Sequence, residues 1–389
     1  MTIRSFSFHD KISGWRLQET SFGPVNLLVG ASGVGKTKIL EALRDVTGVA
    51  RETTSVIGSW KIEVEDGKGS SFVWEVETED ETVGPWRQIS RLVNAPTAIS
   101  EGVDSFDEEP PQVVHETISR DGGTLFARRL GKLLQPENGA PYEIKASKSL
   151  LHLSDDAEIA ALRDRIGRQF FEDPRPVMTG SSARATGSAT DVTGVGRAVA
   201  GLIERAYLLQ RDFPEDFDNL FGRFRVMFPF VEDMRIARID ELWPDAPKAW
   251  PGIRDLTLGI RERGVDEWIV GGNVSGGMIR AFALLVDVTV APSGTVFLID
   301  EIENSLGNNC LPEVVDLLWE RAGDLQFIIT THHPYVINNI PLKHWKIVTR
   351  KGSVVVARPA ESFDALRTAS RFERFTRLLN LPAFEEGVA

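Results

Sequence analysis

An eight-residue glycine-rich segment has the residue types and the spacing that bind a chain of phosphates. It fits the pattern G-x-x-x-x-G-K-S/T, and its members are Gly30, Ala31, Ser32, Gly33, Val34, Gly35, Lys36 and Thr37. Glycines let backbone N–H groups converge on phosphate oxygens, and a helix that starts here points its positive end at them. The Lys36 ammonium would reach the β- and γ-phosphates, and the Thr37 hydroxyl would ligate Mg²⁺.

Two adjacent carboxylates follow an apolar run later in the chain. Residues 295–299 are mainly apolar, and Asp300 and Glu301 come directly after them. A buried strand that ends in two acids places one carboxylate near the metal and the next near the attacking water. We therefore assign Asp300 to Mg²⁺ and Glu301 to the general base. Such a run followed by two acids is common, so the assignment depends on the neighbouring motifs.

A serine and two glycines open a helical pattern that ends at residue 290. The hydroxyl of Ser275, the backbone N–H groups of Gly276 and Gly277 and the helix terminus together form a second anion site. One nucleotide does not need two such sites on one chain. The pattern therefore predicts a head-to-tail homodimer, in which each Ser275 helix caps the γ-phosphate held by the partner's Lys36. The alternative is an ordinary N-capped helix.

Two histidines follow the next apolar run, residues 326–329. A histidine at the end of such a strand can contact the γ-phosphate or orient Glu301, although a lone histidine there is more often structural. We favour His332 over His333, because the residue before Pro334 is conformationally restricted.

The elements that must hold these residues are visible in the hydrophobic pattern. Residues 24–29 form an apolar run that leads into the glycine-rich turn, and helical spacing follows over 36–46. Strand patterns at 295–299 and 326–330 flank a helical pattern at 311–322. A short crossover of this kind predicts a parallel βαβ unit and an α/β fold.

Composition excludes several classes of protein. The 389 residues include 44 Lys+Arg and 56 Asp+Glu, and the net charge of −12 argues against indiscriminate polyanion binding. A small basic groove stays compatible with that charge. The longest apolar run is interrupted by charges and proline, so we expect no membrane association and a cytoplasmic protein. The single cysteine, Cys310, excludes an internal disulfide and a thiolate-rich zinc site.

The order and content of these motifs resemble the ABC-type ATPases of the SMC/RecF/OLD group. Besides the phosphate loop and Ser275, the likeness includes Asp-Glu-Ile-Glu-Asn-Ser-Leu from Asp300 and Thr-Thr-His-His-Pro from Thr330. It is strongest for AAA-type ATP-binding proteins related to OLD-family nucleases and to ATPase subunits of bacterial anti-phage systems. The resemblance implies an ABC-type P-loop ATPase with an N-terminal antiparallel β subdomain and a largely helical insert.

The same resemblance implies ATP and Mg²⁺ as ligands and gives each motif a name. Residues 30–37 become Walker A, 273–277 the signature motif, Asp300 and Glu301 Walker B with its base, and 303–306 the D-loop region. His332 becomes the switch histidine. Two departures affect the D-loop: Ile302 stands where the family usually has proline, and Gly307 and Asn308 replace a His-Pro pair.

Motif order divides the chain into four expected segments. Residues 1–90 would form the first part of the ATPase lobe, 91–255 an insert of mixed strands and helices with a mobile Gly/Ser/Thr-rich loop at 179–196, and 256–360 the second part. Residues 361–389 would be an amphipathic helix with one arginine row: Arg367, Arg371, Arg374 and Arg377. The insert could bind a partner or a nucleic acid, or could simply cover one face of the sheet.

Three functions are compatible with a Mg²⁺-dependent ATPase of this group. The first is the ATPase or sensor subunit of a bacterial defence or toxin-like system that acts with a separate nuclease or effector. The second is a RecF-like ATPase of DNA repair or recombination, and the third a nucleotide-dependent scaffold with negligible turnover. OLD nucleases carry an acidic nuclease domain after the ATPase, whereas only 352–389 follow Lys351. We therefore expect any nuclease to be a partner chain.

Overall fold

The computed structural model describes residues 2–67, 69–79, 111–129, 132–134, 147–153, 157–167, 169–171, 178–180, 187–198, 201–249, 252–370 and 373–382. Its strands, in chain order, are β1 Thr2–Asp10, β2 Arg16–Ser21, β3 Val25–Val29, β4 Gly58–Glu65, β5 Ser71–Glu79, β6 Gln112–Arg120, β7 Gly123–Arg129, β8 Lys132–Leu134, β9 Gln169–Phe171, β10 Thr179–Gly180, β11 Val231–Arg238, β12 Leu256–Glu262, β13 Ile269–Val270, β14 Val296–Ile299, β15 Gln326–Thr330, β16 Trp345–Lys351 and β17 Val354–Pro359. Its α-helices are α1 Lys36–Ala50, α2 Leu150–Leu153, α3 Ala157–Ile166, α4 Val192–Ala198, α5 Leu202–Asp212, α6 Pro214–Met227, α7 Ile239–Leu242, α8 Gly276–Val290, α9 Leu311–Arg321, α10 Pro334–Asn339, α11 Asp364–Arg367 and α12 Arg374–Leu379. Short 3₁₀ turns occupy Gly271–Asn273, Leu342–His344 and Ala360–Ser362.

The chain forms two compact units. The first contains residues 1–169, 342–369 and 376–389, and the second contains 170–341 and 370–375. The expected boundary at residue 90 therefore falls inside the first unit. The phosphate loop belongs to the first unit, whereas the signature, Walker B and switch segments all belong to the second.

The sheet of the first unit has the strand order β8-β7-β6-β5-β4-β1-β2-β17-β16-β3. Neighbouring strands from β8 to β2 are antiparallel. Parallel pairing joins β2 to β17 and β16 to β3. The N-terminal antiparallel β subdomain is thus confirmed. Strands β6 to β8 extend it into the segment that the sequence predicts to be largely helical.

Burial patterns explain why these residues form these strands. Along β4 every second residue is buried, including Trp60, and along β5 the buried positions include Trp74. The two indole rings meet edge to face with centroids 5.4 Å apart. In contrast, all five residues of β3 are buried, as expected of a strand covered on both faces. Helix α1 follows β3 and runs four residues beyond its predicted end.

A buried carboxylate connects the antiparallel subdomain to the start of α2. Glu116 and Arg128 are both fully buried and form an ion pair of 3.1 Å. The Glu116 carboxylate also accepts hydrogen bonds from Trp74 Nε1 at 2.9 Å, Leu150 N at 2.8 Å and Ser149 Oγ at 2.5 Å. Burial lowers the pKa of the Arg128 guanidinium, and the Glu116 charge opposes that shift. Glu116 therefore fixes three elements of the first unit together.

The second unit contains the predicted βαβ arrangement. Strands β14 and β15 pair in parallel, from Val296 opposite Gln326 to Ile299 opposite Ile329. Helix α9 lies between them in sequence, so the prediction is confirmed. A smaller antiparallel sheet has the order β10-β12-β11, with β13 also paired to β12.

The segment predicted as a mobile loop, 179–196, has regular structure at both ends. Strand β10 pairs with β12, with Thr179 opposite Thr257. Helix α4 occupies the other end, where a Cβ on Gly196 would lie 2.9 Å from the carbonyl oxygen of Val290. The small residues that suggested a loop therefore permit close packing instead. Residues 181–186 lie outside the described residues.

The C-terminal region also differs from the prediction of one amphipathic helix. Two short helices, α11 and α12, occupy its described part. Ser370 N and Oγ both donate to the Glu373 carboxylate, at 3.1 and 2.9 Å, an arrangement that starts a new helical turn. The arginines therefore do not share one helical row, and Arg371 lies outside the described residues. Among the described helices, none combines the length and the apolar character needed to cross a membrane.

Candidate nucleotide site

The phosphate loop connects the buried strand β3 to the first turn of α1. Lys36 is 7% exposed, and its Nζ donates hydrogen bonds to the carbonyl oxygens of Gly30 at 2.8 Å and Ala31 at 2.9 Å. Ser32 and Thr37 are exposed. The ammonium group therefore lies folded back on the loop. A bound phosphate oxygen, which is negatively charged, could attract it away from these two carbonyl oxygens.

Two positions of the loop require glycine. A Cβ on Gly30 would lie 2.4 Å from the carbonyl oxygen of Val348 in β16, closer than any real contact. Gly35, the residue before α1, has φ 104, a left-handed backbone conformation that favours glycine. The side chain of Val34 is buried, so only its backbone can face a ligand.

A cavity of about 490 Å³ lies beside the loop in the first unit. Its lining comes from the β1–β2 turn, from α1 and from residues 54–57, and includes Trp15, Lys38 and the acids Asp10, Glu41 and Asp45. Trp15 is 4% exposed, and within the described structure its Nε1 has no hydrogen-bond partner. That nitrogen would lie 3.4 Å from a Cβ on Gly35, so the cavity adjoins the loop. A lining that contains one lysine and three carboxylates suits a polar ligand group with both donors and acceptors.

Asp300 and Glu301 are joined through one hydroxyl of the neighbouring strand. Thr330 Oγ1 donates to Asp300 Oδ1 at 2.6 Å and accepts from Glu301 N at 2.7 Å. Glu301 is exposed and has φ 46, which is unusual for a residue other than glycine. The β15 hydroxyl thus orients the metal-binding candidate and holds the backbone of the general-base candidate.

Glu303 connects the D-loop region to the switch segment. Its carboxylate accepts hydrogen bonds from Thr331 Oγ1 and from the backbone N of His332, both at 2.6 Å. Glu303 lies two residues after Glu301, and its carboxylate holds the two residues that directly follow β15. Charge-assisted bonds of this length are the strong ones.

The two histidines have different surroundings. His333 is the N-cap of α10, where its Nδ1 accepts from Tyr335 N at 3.2 Å. Its Nε2 lies 3.1 Å from Oδ1 of Asn308, one of the residues that depart from the family pattern. Both ring nitrogens of His333 therefore have partners in the described structure.

The signature segment opens α8 as predicted. Ser275 is the N-cap, and its Oγ accepts from Met278 N at 3.3 Å. Gly277 lies against the D-loop region, because a Cβ there would be 2.8 Å from the carbonyl oxygen of Ser305. One turn further, the buried Arg280 donates to backbone carbonyls of 300–304. The signature helix and the Walker B strand end are therefore in direct contact.

The sequence analysis missed two residues of this arrangement, Trp15 and Arg280. It named Glu303 within the D-loop region but missed the contact that Glu303 makes with the switch segment. Arg280 had one available signal, a lone cation at the start of an otherwise apolar helix. Trp15 had none, because its place beside the loop depends on strand pairing. Cys310 is buried, and burial raises the pKa of its thiol, so it is not an activated nucleophile.

The two candidate Mg²⁺ ligands have suitable donor atoms. A hydroxyl from Thr37 and a carboxylate from Asp300 are hard oxygen donors, the kind that Mg²⁺ prefers. Among the described residues, no group of three or more His, Cys, Asp or Glu side chains is arranged to hold a metal by itself.

The buried strand, the glycine-rich loop and the helix that follows it have the arrangement of a P-loop nucleotide-binding domain. The chain belongs to the family described as "AAA domain, putative AbiEii toxin, Type IV TA system", whose profile matches residues 25–338. No curated protein matches the chain.

Among solved structures, three SMC heads are similar at low identity. One is an Smc head bound to the C-winged helix domain of ScpA, with 15% identity, coverage of 92% of this chain and 97% of that chain, and a TM-score of 0.44. The SMC head domain from Thermotoga maritima has 13% identity, coverage of 92% and 99%, and a TM-score of 0.43. An Smc head with an extended coiled coil, bound to the C-terminal domain of ScpA and derived from Pyrococcus furiosus, has 15% identity, coverage of 93% and 97%, and a TM-score of 0.45.

Proposed function

We propose that this protein binds ATP·Mg²⁺ and hydrolyses it. The observation that carries the proposal is the complete phosphate loop between β3 and α1, with the Lys36 ammonium folded across it. The family to which the chain belongs supports the same activity, since it is a family of AAA domains.

Each site residue has a defined task in this proposal. The N–H groups of residues 30–37 and the Lys36 ammonium bind the β- and γ-phosphates, while Thr37 and Asp300 hold the metal. When bound, Mg²⁺ would neutralise part of the charge on those phosphates. Glu301 accepts the proton of the attacking water, and His332 faces the γ-phosphate or orients Glu301.

The cavity beside the loop is the proposed place of the nucleoside. Polar side chains that line the cavity, among them Lys38, Glu41 and Asp45, can form hydrogen bonds with ring nitrogens or exocyclic groups of the base and with ribose hydroxyls. Adenine and guanine both offer these groups, so competition between ATP and GTP measures the preference directly.

We further propose a head-to-tail homodimer around two nucleotides, acting in the cytoplasm within a defence or toxin-like system. The N-terminus of the 15-residue helix α8, with Ser275 at its cap, is the surface that would meet the partner's γ-phosphate. The family is described as a putative AbiEii toxin of a type IV TA system, which supports a role in a defence or toxin-like system. A separate nuclease or other effector would complete the system.

Two variants test the enzymatic proposal. Lys36→Ala should abolish ATP binding, while Lys148→Ala, which removes an exposed lysine paired with Glu52, should bind normally. Glu301→Gln should bind ATP, lose turnover and sediment as a dimer in ATP. Unchanged affinity in Lys36→Ala refutes the phosphate-loop assignment. A Glu301→Gln protein that stays monomeric in every nucleotide refutes the dimer.

The remaining functions correspond to different results of the same assay. DNA-stimulated turnover, with an affinity for DNA that falls steeply with salt, would indicate the RecF-like alternative. Tight ATP binding with negligible turnover, and an assembly state that follows the nucleotide, would indicate a scaffold. Turnover that depends on a co-encoded effector instead supports the defence proposal.

A further inference from the structure

Arg280 occupies an unusual position at the start of α8. It lies five residues after Ser275, and it is 4% exposed. Its Nη1 donates to the carbonyl oxygen of Asn304, and its Nη2 donates to that of Glu301 at 3.2 Å, with the Asp300 carbonyl oxygen 3.4 Å away. The guanidinium therefore spans the backbone that carries both the metal-binding and the general-base candidates.

The backbone that Arg280 holds is conformationally strained. Glu301 has φ 46 and Ser305 has φ 59, and neither is a glycine. Residues in this left-handed region persist only where their surroundings impose it, and such strain is concentrated at functional sites. Three hydrogen bonds hold the Glu301 backbone in the described structure. Its N–H donates to the Thr330 hydroxyl, and its carbonyl oxygen accepts from Asn304 N at 2.7 Å and from the Arg280 guanidinium at 3.2 Å. Of these, only the bond from Arg280 comes from α8.

The signature segment touches the same stretch a second time. A Cβ on Gly277 would lie 2.8 Å from the Ser305 carbonyl oxygen, so the first turn of α8 packs directly on this backbone. Because the two segments approach closely at this point, we expect a shift or rotation of α8 to displace residues 300–305.

We propose that Arg280 is a positioning residue that couples the signature helix to Glu301 of the same chain. The inference rests on the proposed function, in which the Ser275 end of α8 meets the nucleotide of the partner subunit. Binding there moves α8, and Arg280 transmits the movement to the strained turn that aims the Glu301 carboxylate. Each site then becomes fully active only when the opposite site is filled, and turnover is cooperative in ATP.

The guanidinium is required for this role. Its rigid fork can bond the Asn304 and Glu301 carbonyl oxygens at once, whereas a lysine ammonium on a flexible stem cannot reproduce that geometry. Arg280→Lys keeps the charge and most of the volume, and so it separates coupling from simple loss of a buried cation.

The matched control is Arg205→Lys. Arg205 is another largely buried arginine that contacts α8, through a 2.5 Å ion pair with Asp287, which lies twelve residues after Ser275 in the second half of the helix. Both variants should lose some thermal stability. Only Arg280→Lys should lose coupling.

The experiment measures ATP binding, steady-state turnover against ATP concentration, and hydrogen exchange of residues 300–306 with and without ATP. For Arg280→Lys we expect affinity within about twofold of wild type, a kcat lower by about 10- to 100-fold, and a Hill coefficient reduced to one. The ATP-dependent change in exchange over 300–306 should disappear. Arg205→Lys should retain the wild-type kcat, cooperativity and exchange response.

The outcomes separate this inference from the function on which it rests. If wild type turns over ATP and Arg280→Lys keeps its kcat and Hill coefficient, the coupling role is refuted while the ATPase stands. Equal losses of kcat in Arg280→Lys and Arg205→Lys also refute it, because they indicate a merely structural role. A wild-type protein that neither binds nor hydrolyses ATP overturns the proposed function and the inference with it.

Discussion

Removing the carboxylate of Glu303 should release the switch segment from the D-loop region. In the native structure this carboxylate accepts from Thr331 Oγ1 and His332 N, both at 2.6 Å. A hydrogen bond to a charged group contributes roughly 1.5–3 kcal/mol. The amide of His332 loses one such bond in Glu303→Ala, so the local opening free energy of that amide should fall by a similar amount.

Hydrogen exchange measures this change without any assumption about function. A loss of roughly 1.5–3 kcal/mol corresponds to exchange about 10- to 150-fold faster at the His332 amide. Glu303→Gln retains one carbonyl oxygen for that amide, and the Thr331 hydroxyl can rotate to accept from the new NH₂ group. We therefore expect only a small change in Glu303→Gln, which makes it the conservative partner of the alanine variant.

Turnover gives the functional counterpart. If His332 acts at the γ-phosphate, Glu303→Ala should lower kcat with little effect on ATP affinity, and Glu303→Gln should restore most of the rate. The control is Glu313→Ala, which removes a partly buried carboxylate paired with Arg223 on α6. Exchange at residue 332 that is as slow in Glu303→Ala as in wild type would refute the structural reasoning. Faster exchange with an unchanged kcat would refute the role of His332 instead.

Two further predictions concern the first unit. Gly30→Ala should destabilise the protein by about 1–3 kcal/mol and weaken ATP binding, because its Cβ would lie 2.4 Å from a β16 carbonyl oxygen. The control is Gly67→Ala, because Gly67 has open space around it. Equal melting temperatures for the two variants would contradict the argument. Glu116→Ala should lower the free energy of unfolding by about 3–5 kcal/mol in chemical denaturation, since it breaks a fully buried ion pair. Removing the exposed Glu158, which pairs with Arg120 on the surface, should leave the free energy of unfolding nearly unchanged. Similar effects from the two glutamates would show that the buried network is not stabilising.

Local patterns predicted the elements that depend on nearest neighbours. Strand β3, helix α1 and the β14–α9–β15 unit were all predicted from apolar spacing, because burial on one face or two dictates that spacing directly. The same reasoning was incomplete at 179–196, where small residues serve close packing, and at the C-terminal region. There a continuous apolar stripe predicted a single helix. The hydrogen-bonded pair of Ser370 and Glu373 instead starts a new helical turn, so that two short helices form.

The sequence by itself determined the strand, the glycine-rich turn and the helix of the candidate phosphate loop, since the whole pattern lies within consecutive residues. It also predicted the two acids after β14 as candidates, with the support of the neighbouring motifs. Only the tertiary structure decided how Arg280, Glu303 and Thr330 act on those acids. Their contacts run between segments about 20 to 30 residues apart, and side-chain reach across such a distance depends on packing that no local pattern encodes.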